Sequence, residues 1–173
     1  YIYGKTGIQF IFFNTMYQLF VEKDSSIYKS ADKFLMVPDL INYLLCGAIS
    51  TEITNASTTQ LLNVHTQDWD WQLIEKLGIK KSLFAKINKP GVQVGEIKGH
   101  GKLDAIKVIS VGSHDTASAV AGAPLGEDGL TAYISSGTWS LVGLELAKPV
   151  TDKKAMEFNI TNEMGVDDRI RFI

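Results

Sequence analysis

The sequence of 173 residues has a single cysteine, so no disulfide can form within the chain. Cys46 lies in the apolar segment INYLLCGAIS, and we interpret it as a small buried hydrophobic residue of a protein that works in the reducing cytoplasm. No apolar run approaches the roughly 20 residues that cross a bilayer. The first residues also lack the basic start, apolar centre and cleavage site of a signal peptide. We therefore expect no membrane association and no export.

Clusters of basic residues are missing as well. The 17 lysines and arginines are balanced by 19 acidic residues, for a formal net charge of -2. A nucleic-acid-binding surface needs a basic patch, so nucleic acid is not an expected partner. His65 and His100 have no cysteine or carboxylate at metal-ligand spacing around them, and we predict no metal site. The apolar fraction of 45% is that of an ordinary globular protein.

Apolar spacing predicts helices over much of the first hundred residues. Met16 and Phe20 lie on one helical stripe after Asn14, a candidate cap, and predict a helix that faces the core. Pro38 predicts the junction of two helices, because it disfavours helical geometry at the preceding residue. The polar run at positions 50–60 holds four threonines and two serines, which predicts loop and cap chemistry there.

Later in the chain the pattern changes to short strand-like runs separated by glycines. These runs are GVQVGEI, IKVISVG, LTAYISSG and WSLVGLEL. The break GAPLGEDG, residues 122–129, is rich in glycine and includes a proline, and it separates the second of these runs from the third. We place a domain boundary in this break, with residues 1–126 in one domain and residues 127–173 in another.

The segment VISVGSHDTASAV puts polar side chains at the junction of a strand and a helix. The apolar run ends at Gly112, and His114 and Asp115 precede a helix of small residues. A carboxylate that follows a strand lies at the sheet edge where open α/β folds bind ligands, and there Asp115 can accept a proton from a substrate hydroxyl. The sequence is equally compatible with Ser113 or Asp115 acting only as a helix cap.

The segment YISSGTWSLVG joins two strand-like runs through Ser136, Gly137 and Thr138. Glycine lets the backbone approach an anion closely, and the backbone N–H groups and the Thr138 hydroxyl can donate hydrogen bonds to phosphoryl oxygens. Taken alone, the motif is also typical of an ordinary hairpin turn. The sequence thus offers a candidate phosphate site beside a simpler structural alternative.

Taken together, these two motifs resemble the FGGY carbohydrate kinases, and among them most closely the bacterial L-rhamnulokinases. The segments TGIQFIFFNTMYQL, LMVPDLINYLLCG, TNASTTQLLN and EFNITNEMG extend the resemblance over essentially the whole chain. Met164 departs from it, since the family has a small residue there. The resemblance implies an α/β fold of the ribonuclease H-like, actin-like ATPase type, of which this chain is a part with a helical insertion and strands from two domains.

The resemblance also implies a reaction and roles for individual residues. Asp115 would be the catalytic base that takes the proton from the C1 hydroxyl of L-rhamnulose. ATP, bound with Mg²⁺, would donate the phosphoryl group, and the product would be L-rhamnulose 1-phosphate. The resemblance implies that the sugar is bound by His114, Asp115 and Thr116. It implies that the ATP phosphates are bound by Ser136, Gly137 and Thr138. The family's first phosphate loop and adenosine pocket have no counterpart in this sequence, so we expect the chain by itself to be inactive.

Two alternatives stay open at this point. A fuculokinase shares the HDT and SSGTW motifs, so the acceptor can also be L-fuculose or another ketose. A protein that binds a ligand on the same fold without catalysis is the other alternative. In each case the expected partners are small molecules, a sugar and ATP, and the sequence does not specify an oligomeric state.

Overall fold

The structure, a computed structural model, describes residues 1–126 and 131–173. The helices, α1 to α8 in chain order, span Ile2–Thr6, Thr15–Glu22, Ser26–Ser30, Val37–Cys46, Ile53–Ser57, Trp71–Lys76, Asp115–Ala121 and Lys153–Glu157. The strands, β1 to β10, span Ser50–Glu52, Leu62–Asn63, Asp68–Trp69, Lys86–Asn88, Gln93–Glu96, Lys107–Ile109, Ala132–Ser136, Ser140–Leu146, Asn162–Met164 and Ile170–Phe172. The predicted domain boundary after residue 126 adjoins residues 127–130, which lie outside the described residues, and it stays a prediction.

The strands of the described ranges pair into small sheets. The largest is antiparallel, with the strand order β7-β8-β10-β9. Strand β1 pairs in parallel with β4, while β2 pairs with β3 and β5 pairs with β6 in antiparallel fashion. Four helices precede β1, helices and strands are interspersed after it, and the predicted α/β class is confirmed.

Helix α2 forms where the apolar spacing predicts it, but its contacts differ from the prediction. Met16 is buried, whereas Phe20 is exposed and lies under the ammonium group of Lys23. Asn14 occupies the N-cap position, yet its side-chain amide donates to the Gln9 carbonyl and to Gln60 Oε1. The side chain therefore anchors the loop before the helix and does not cap it.

Only one of the two helices predicted around Pro38 forms. Helix α4 begins at Val37 and ends before Gly47, whose φ of 74° is a left-handed conformation that glycine adopts without strain. The residues just before α4 are not helical. The Phe34 N–H donates to the Leu83 carbonyl, so this segment is held against a neighbouring turn.

The polar run at 50–60 is a buried part of the chain, and its prediction as a loop is wrong. It contains β1 and α5, and Thr51, Glu52 and Thr59 are buried. The predicted cap chemistry is confirmed, because the Glu52 carboxylate accepts hydrogen bonds from the first N–H groups of α5. The side chains that suggested a solvated loop instead satisfy the backbone inside the protein.

One hydrophobic core joins the two ends of the chain. Leu61, Ile74 and Leu83 from the first hundred residues pack together with Met164 and Ile170 near the C-terminus. Met164, the departure from the family pattern, is fully buried in this core. Strand β9 packs against helix α5, and its neighbour β10 brings Arg171 next to His114 at the start of α7.

Candidate active site

A cavity of about 680 Å³ lies between the start of helix α7 and the β7–β8 hairpin. The residues around Ile8 to Thr15 form another wall, with Phe13 packed edge-on to Trp139 at a centroid distance of 6.2 Å. The cavity brings together most of the residues that the sequence singled out. These are His114, Asp115, Thr116, Gly137 and Thr138.

The Asp115 carboxylate projects into solvent at the cavity wall, with 96% of its side chain exposed. It is the first residue of α7, and Oδ1 accepts a hydrogen bond from the Thr116 N–H at 2.7 Å. Oδ2 has no hydrogen bond to any residue in the described ranges. The N-cap position belongs to His114, so neither Ser113 nor Asp115 caps this helix. A carboxylate with a free oxygen can accept a proton from a ligand.

The buried carboxylate of Glu52 fixes the loop that carries these groups. Its Oε2 accepts hydrogen bonds from the Ser113 N–H at 3.0 Å and from the Ser113 hydroxyl at 2.8 Å. The same side chain accepts from Thr54, whose hydroxyl in turn accepts from the His114 N–H at 3.2 Å. Glu52 therefore ties β1 and α5 to the start of α7 and limits the freedom of the loop before Asp115.

His114 contacts two charged side chains of the last two strands. Its Nδ1 lies 2.7 Å from Arg171 Nη2 and 3.4 Å from Glu163 Oε2. Arg171 is completely buried and also donates to Glu163 Oε2 at 2.7 Å. Burial lowers the pKa of His114, and Arg171 lowers it further, while Glu163, Asp115 and Glu52 raise it. The net lowering favours a neutral imidazole.

The β7–β8 hairpin presents its turn to the same cavity. The structure confirms the two strands, and Gly137 and Thr138 line the cavity in the turn between them. A Cβ atom on Gly137 would meet open space, although its N–H donates to the Trp139 carbonyl at 2.8 Å. Ser136 does not line the cavity, and its hydroxyl lies 3.1 Å from that of Ser140. Successive strand residues face opposite sides, which puts Ser135 at the cavity.

Sequence reasoning missed three residues that support the site. Glu52, Glu163 and Arg171 come from β1, β9 and β10, far from the HDT motif in the chain. No local pattern marks them, because only tertiary packing brings Glu163 and Arg171 to His114 and Glu52 to Ser113. Ion pairs of this kind are visible only in three dimensions.

A metal site is not among the features of the described residues. No group of three or more His, Cys, Asp or Glu side chains in positions 1–126 and 131–173 is arranged to hold a metal ion. His65 Nε2 lies 3.0 Å from the Gly4 carbonyl oxygen. No helix of the same residues is long and apolar enough to span a membrane.

Comparison with known sequences identifies relatives over the whole chain. The model of the FGGY family of carbohydrate kinases, N-terminal domain, matches residues 1–122. The chain is 49% identical over 176 residues to a rhamnulokinase of Bacillus subtilis and 48% identical over 174 residues to one of Mannheimia succiniciproducens. Each alignment covers 99% of this chain but only 36% and 35% of the respective relative. The chain therefore spans little more than a third of the length of these relatives.

Solved structures of sugar kinases share the fold. A xylulose kinase of Lactobacillus acidophilus superposes with a TM-score of 0.81 at 23% identity, over 99% of this chain and 35% of that one. Plasmodium falciparum glycerol kinase, solved with ADP, gives a TM-score of 0.83 at 18% identity, over 99% and 36% of the two chains. Together with the family match, these likenesses confirm the predicted actin-like ATPase fold, here as a partial chain.

Proposed function

The chain belongs to the FGGY family of carbohydrate kinases, and on this premise we propose that the full-length protein transfers a phosphoryl group from ATP to a ketose. The observation that carries the proposal is the exposed Asp115 carboxylate, which shares one cavity with the Gly137–Thr138 turn. A proton acceptor and a phosphate-binding turn on facing walls are the two parts that phosphoryl transfer to a hydroxyl needs.

In this proposal Asp115 is the base. The bond to Thr116 N–H occupies Oδ1, and Oδ2 is open to a substrate hydroxyl. As the hydroxyl oxygen forms its bond to phosphorus and the bond to the ADP oxygen breaks, the hydroxyl proton passes to the Asp115 carboxylate. Base catalysis of this kind contributes about 10²- to 10⁴-fold to a rate.

The β7–β8 turn is the proposed phosphate contact. The exposed hydroxyl of Thr138 can donate to a phosphoryl oxygen, and the open space at Gly137 lets the backbone come close. Because the Gly137 N–H is already donated to Trp139, the hydroxyl of Thr138 is the stronger candidate of the two. Bound ATP supplies the phosphoryl group, and Mg²⁺ neutralises phosphate charge. Ser136 belongs to this proposal only through its backbone, as its side chain faces away.

L-rhamnulose is the proposed acceptor, and its C1 hydroxyl the proposed site of phosphorylation. The rhamnulokinases noted above, at 48–49% identity over nearly all of this chain, support this choice over L-fuculose or another ketose. His114, Asp115 and Thr116 would contact the sugar, since all three line the cavity. We also propose that residues 1–126 belong to the N-terminal kinase domain, that residues 127–173 begin the C-terminal one, and that the protein acts in the cytoplasm.

A coupled assay of the full-length protein tests the proposal. ADP release is measured with L-rhamnulose, L-fuculose, D-xylulose and glycerol at matched concentrations, and 31P NMR locates the phosphate on each product. We expect the highest kcat/KM with L-rhamnulose and phosphate on C1. A preference for another ketose would overturn L-rhamnulose as the acceptor and would still agree with phosphoryl transfer to a ketose. Sugar binding without any ADP release would instead identify a non-catalytic binding protein.

A further inference from the structure

The buried side chain of Arg171 lies directly behind His114, and this contact carries an inference that rests on the proposed function. We propose that Arg171 is a positioning residue that holds His114 as the Nε2–H tautomer, so that the imidazole donates a hydrogen bond into the cavity beside Asp115. The matching ligand has an oxygen on the carbon adjacent to the one that bears the reacting hydroxyl. A ketose phosphorylated at C1 has such an oxygen at C2.

The geometry at Nδ1 determines the tautomer. An arginine side chain carries only hydrogen-bond donors, so Arg171 Nη2 at 2.7 Å from His114 Nδ1 must donate to it. If Nδ1 also carried a proton, two donors would face each other at that distance. Nδ1 is therefore the acceptor, and the single proton of the neutral ring is on Nε2.

The second nitrogen of the ring is free to contact a ligand. In the described residues Nε2 has no hydrogen-bond partner, and it lies 3.8 Å from Asp115 Oδ1, beyond hydrogen-bond distance. His114 lines the cavity with a quarter of its side chain exposed. An N–H group and a carboxylate thus lie side by side, one donating and the other accepting.

The burial of Arg171 is difficult to explain by stability alone. Its side chain is fully buried, and Nε and Nη1 have no hydrogen-bond partner among the residues that the structure describes. Burying a charge with incomplete pairing destabilises a protein. Arg171 pairs across the sheet with Glu145 and Glu163, and only Glu163 contacts both Arg171 and His114. The pair aims one guanidinium nitrogen at Nδ1, which is the role proposed here.

Glu163 competes for the same ring nitrogen. Its Oε2 is 3.4 Å from Nδ1, so it would accept a proton on that nitrogen if Arg171 did not donate there. Loss of the guanidinium should therefore change the tautomer of His114 as well as weaken a contact. This switch distinguishes positioning from a purely structural role, which would leave the tautomer unchanged.

Nitrogen NMR of the full-length protein with 15N-labelled histidine tests the inference without a ligand. The His114 resonances are assigned by their loss in His114→Gln. We expect a neutral ring protonated at Nε2 in the wild type, a shift toward Nδ1–H in Arg171→Met, and retention of Nε2–H in Arg171→Lys and Glu163→Gln. Arg169→Met is the matched control, because Arg169 contacts Glu145 and not His114; it should leave the tautomer unchanged.

Kinetics of the same variants give the second measurement. Loss of one positioned hydrogen bond should raise the KM for the sugar about tenfold in Arg171→Met and leave the KM for ATP unchanged. Arg171→Lys should recover part of this loss. An Nδ1–H ring in the wild type would overturn the inference, and it would do so even if Arg171→Met failed to fold. A wild type that phosphorylates no sugar would overturn the proposed function instead, because the tautomer is measured without turnover.

Discussion

Two regions around the cavity differ sharply in burial. Asp115, Gly137 and Thr138 are exposed. Glu52 and Arg171 behind them are completely buried and hold the loop and the ring of His114 in place. The exposed groups can contact a ligand, and the buried residues hold the loop and the imidazole ring next to Asp115 in a fixed position. Substitutions of the exposed groups should therefore affect activity, and substitution of Glu52 should affect stability first, whereas Arg171 acts on activity through the ring of His114.

The largest effect is expected for Asp115→Asn in the full-length protein. Turnover should fall about 10²- to 10⁴-fold, since an amide cannot accept the proton. The free energy of unfolding should change by less than about 0.5 kcal/mol, because the side chain is exposed. Steady-state kinetics and urea unfolding measure the two quantities. Turnover near that of the wild type would remove Asp115 from the reaction.

Glu52→Gln should chiefly lower the free energy of unfolding, whereas Asp115→Asn should chiefly lower turnover. Its carboxylate accepts hydrogen bonds from Thr54, Asn55 and Ser113, and an amide would direct a donor at some of these donors. We expect a loss of about 2 to 4 kcal/mol in the free energy of unfolding. Glu22→Gln at an exposed position of α2 is the control and should change it little. Equal losses in the two variants would contradict the supporting role of Glu52.

Asp39→Asn should stabilise the protein at neutral pH. Burial raises the pKa of Asp39 from 3.8 to about 6, and the nearby Glu52 carboxylate adds to the rise. Between pH 3.8 and about pH 6, Asp39 binds more protons in the folded state than in the unfolded state. The free energy of unfolding therefore falls as the pH rises through this range, and the loss is complete above pH 6. The variant should gain about 1 to 3 kcal/mol at pH 7.5 and almost nothing below pH 4.

Urea unfolding of Asp39→Asn at several pH values measures this dependence. Asp32→Asn is the matched control, because Asp32 is exposed, and its unfolding free energy should stay within about 0.5 kcal/mol of the wild type at each pH. A gain that does not change between pH 4 and 7.5 would show that charge at Asp39 is not its cause.

Thr138→Ala should produce the smallest of these changes, and in activity alone. Removing one hydroxyl that donates to a phosphate should raise the KM for ATP about tenfold and leave the affinity for the sugar unchanged. Separate titrations of ATP and sugar in the coupled assay distinguish the two effects. An unchanged response to ATP would favour the interpretation of the turn as an ordinary hairpin.

The exposed region was predictable from the sequence, and the buried one was not. The strand-to-helix junction placed Asp115, and the glycine turn placed Thr138, because both follow from local patterns of apolar and small residues. The roles of Glu52 and Arg171 depend on contacts between residues more than 50 positions apart, as in the hydrogen bond from Arg171 to His114. The same cause explains the wrong loop prediction at 50–60, where polar side chains are satisfied inside the core.

A crystal structure of full-length Asp115→Asn with bound L-rhamnulose would show directly whether residue 115 contacts the hydroxyl that is phosphorylated. We expect the C1 oxygen within about 2.6 to 3.2 Å of the residue 115 side chain. We also expect His114 Nε2 to donate a hydrogen bond to the oxygen on C2. A sugar bound outside this cavity, or one whose C1 hydroxyl points away from residue 115, would contradict the role of Asp115 as the base.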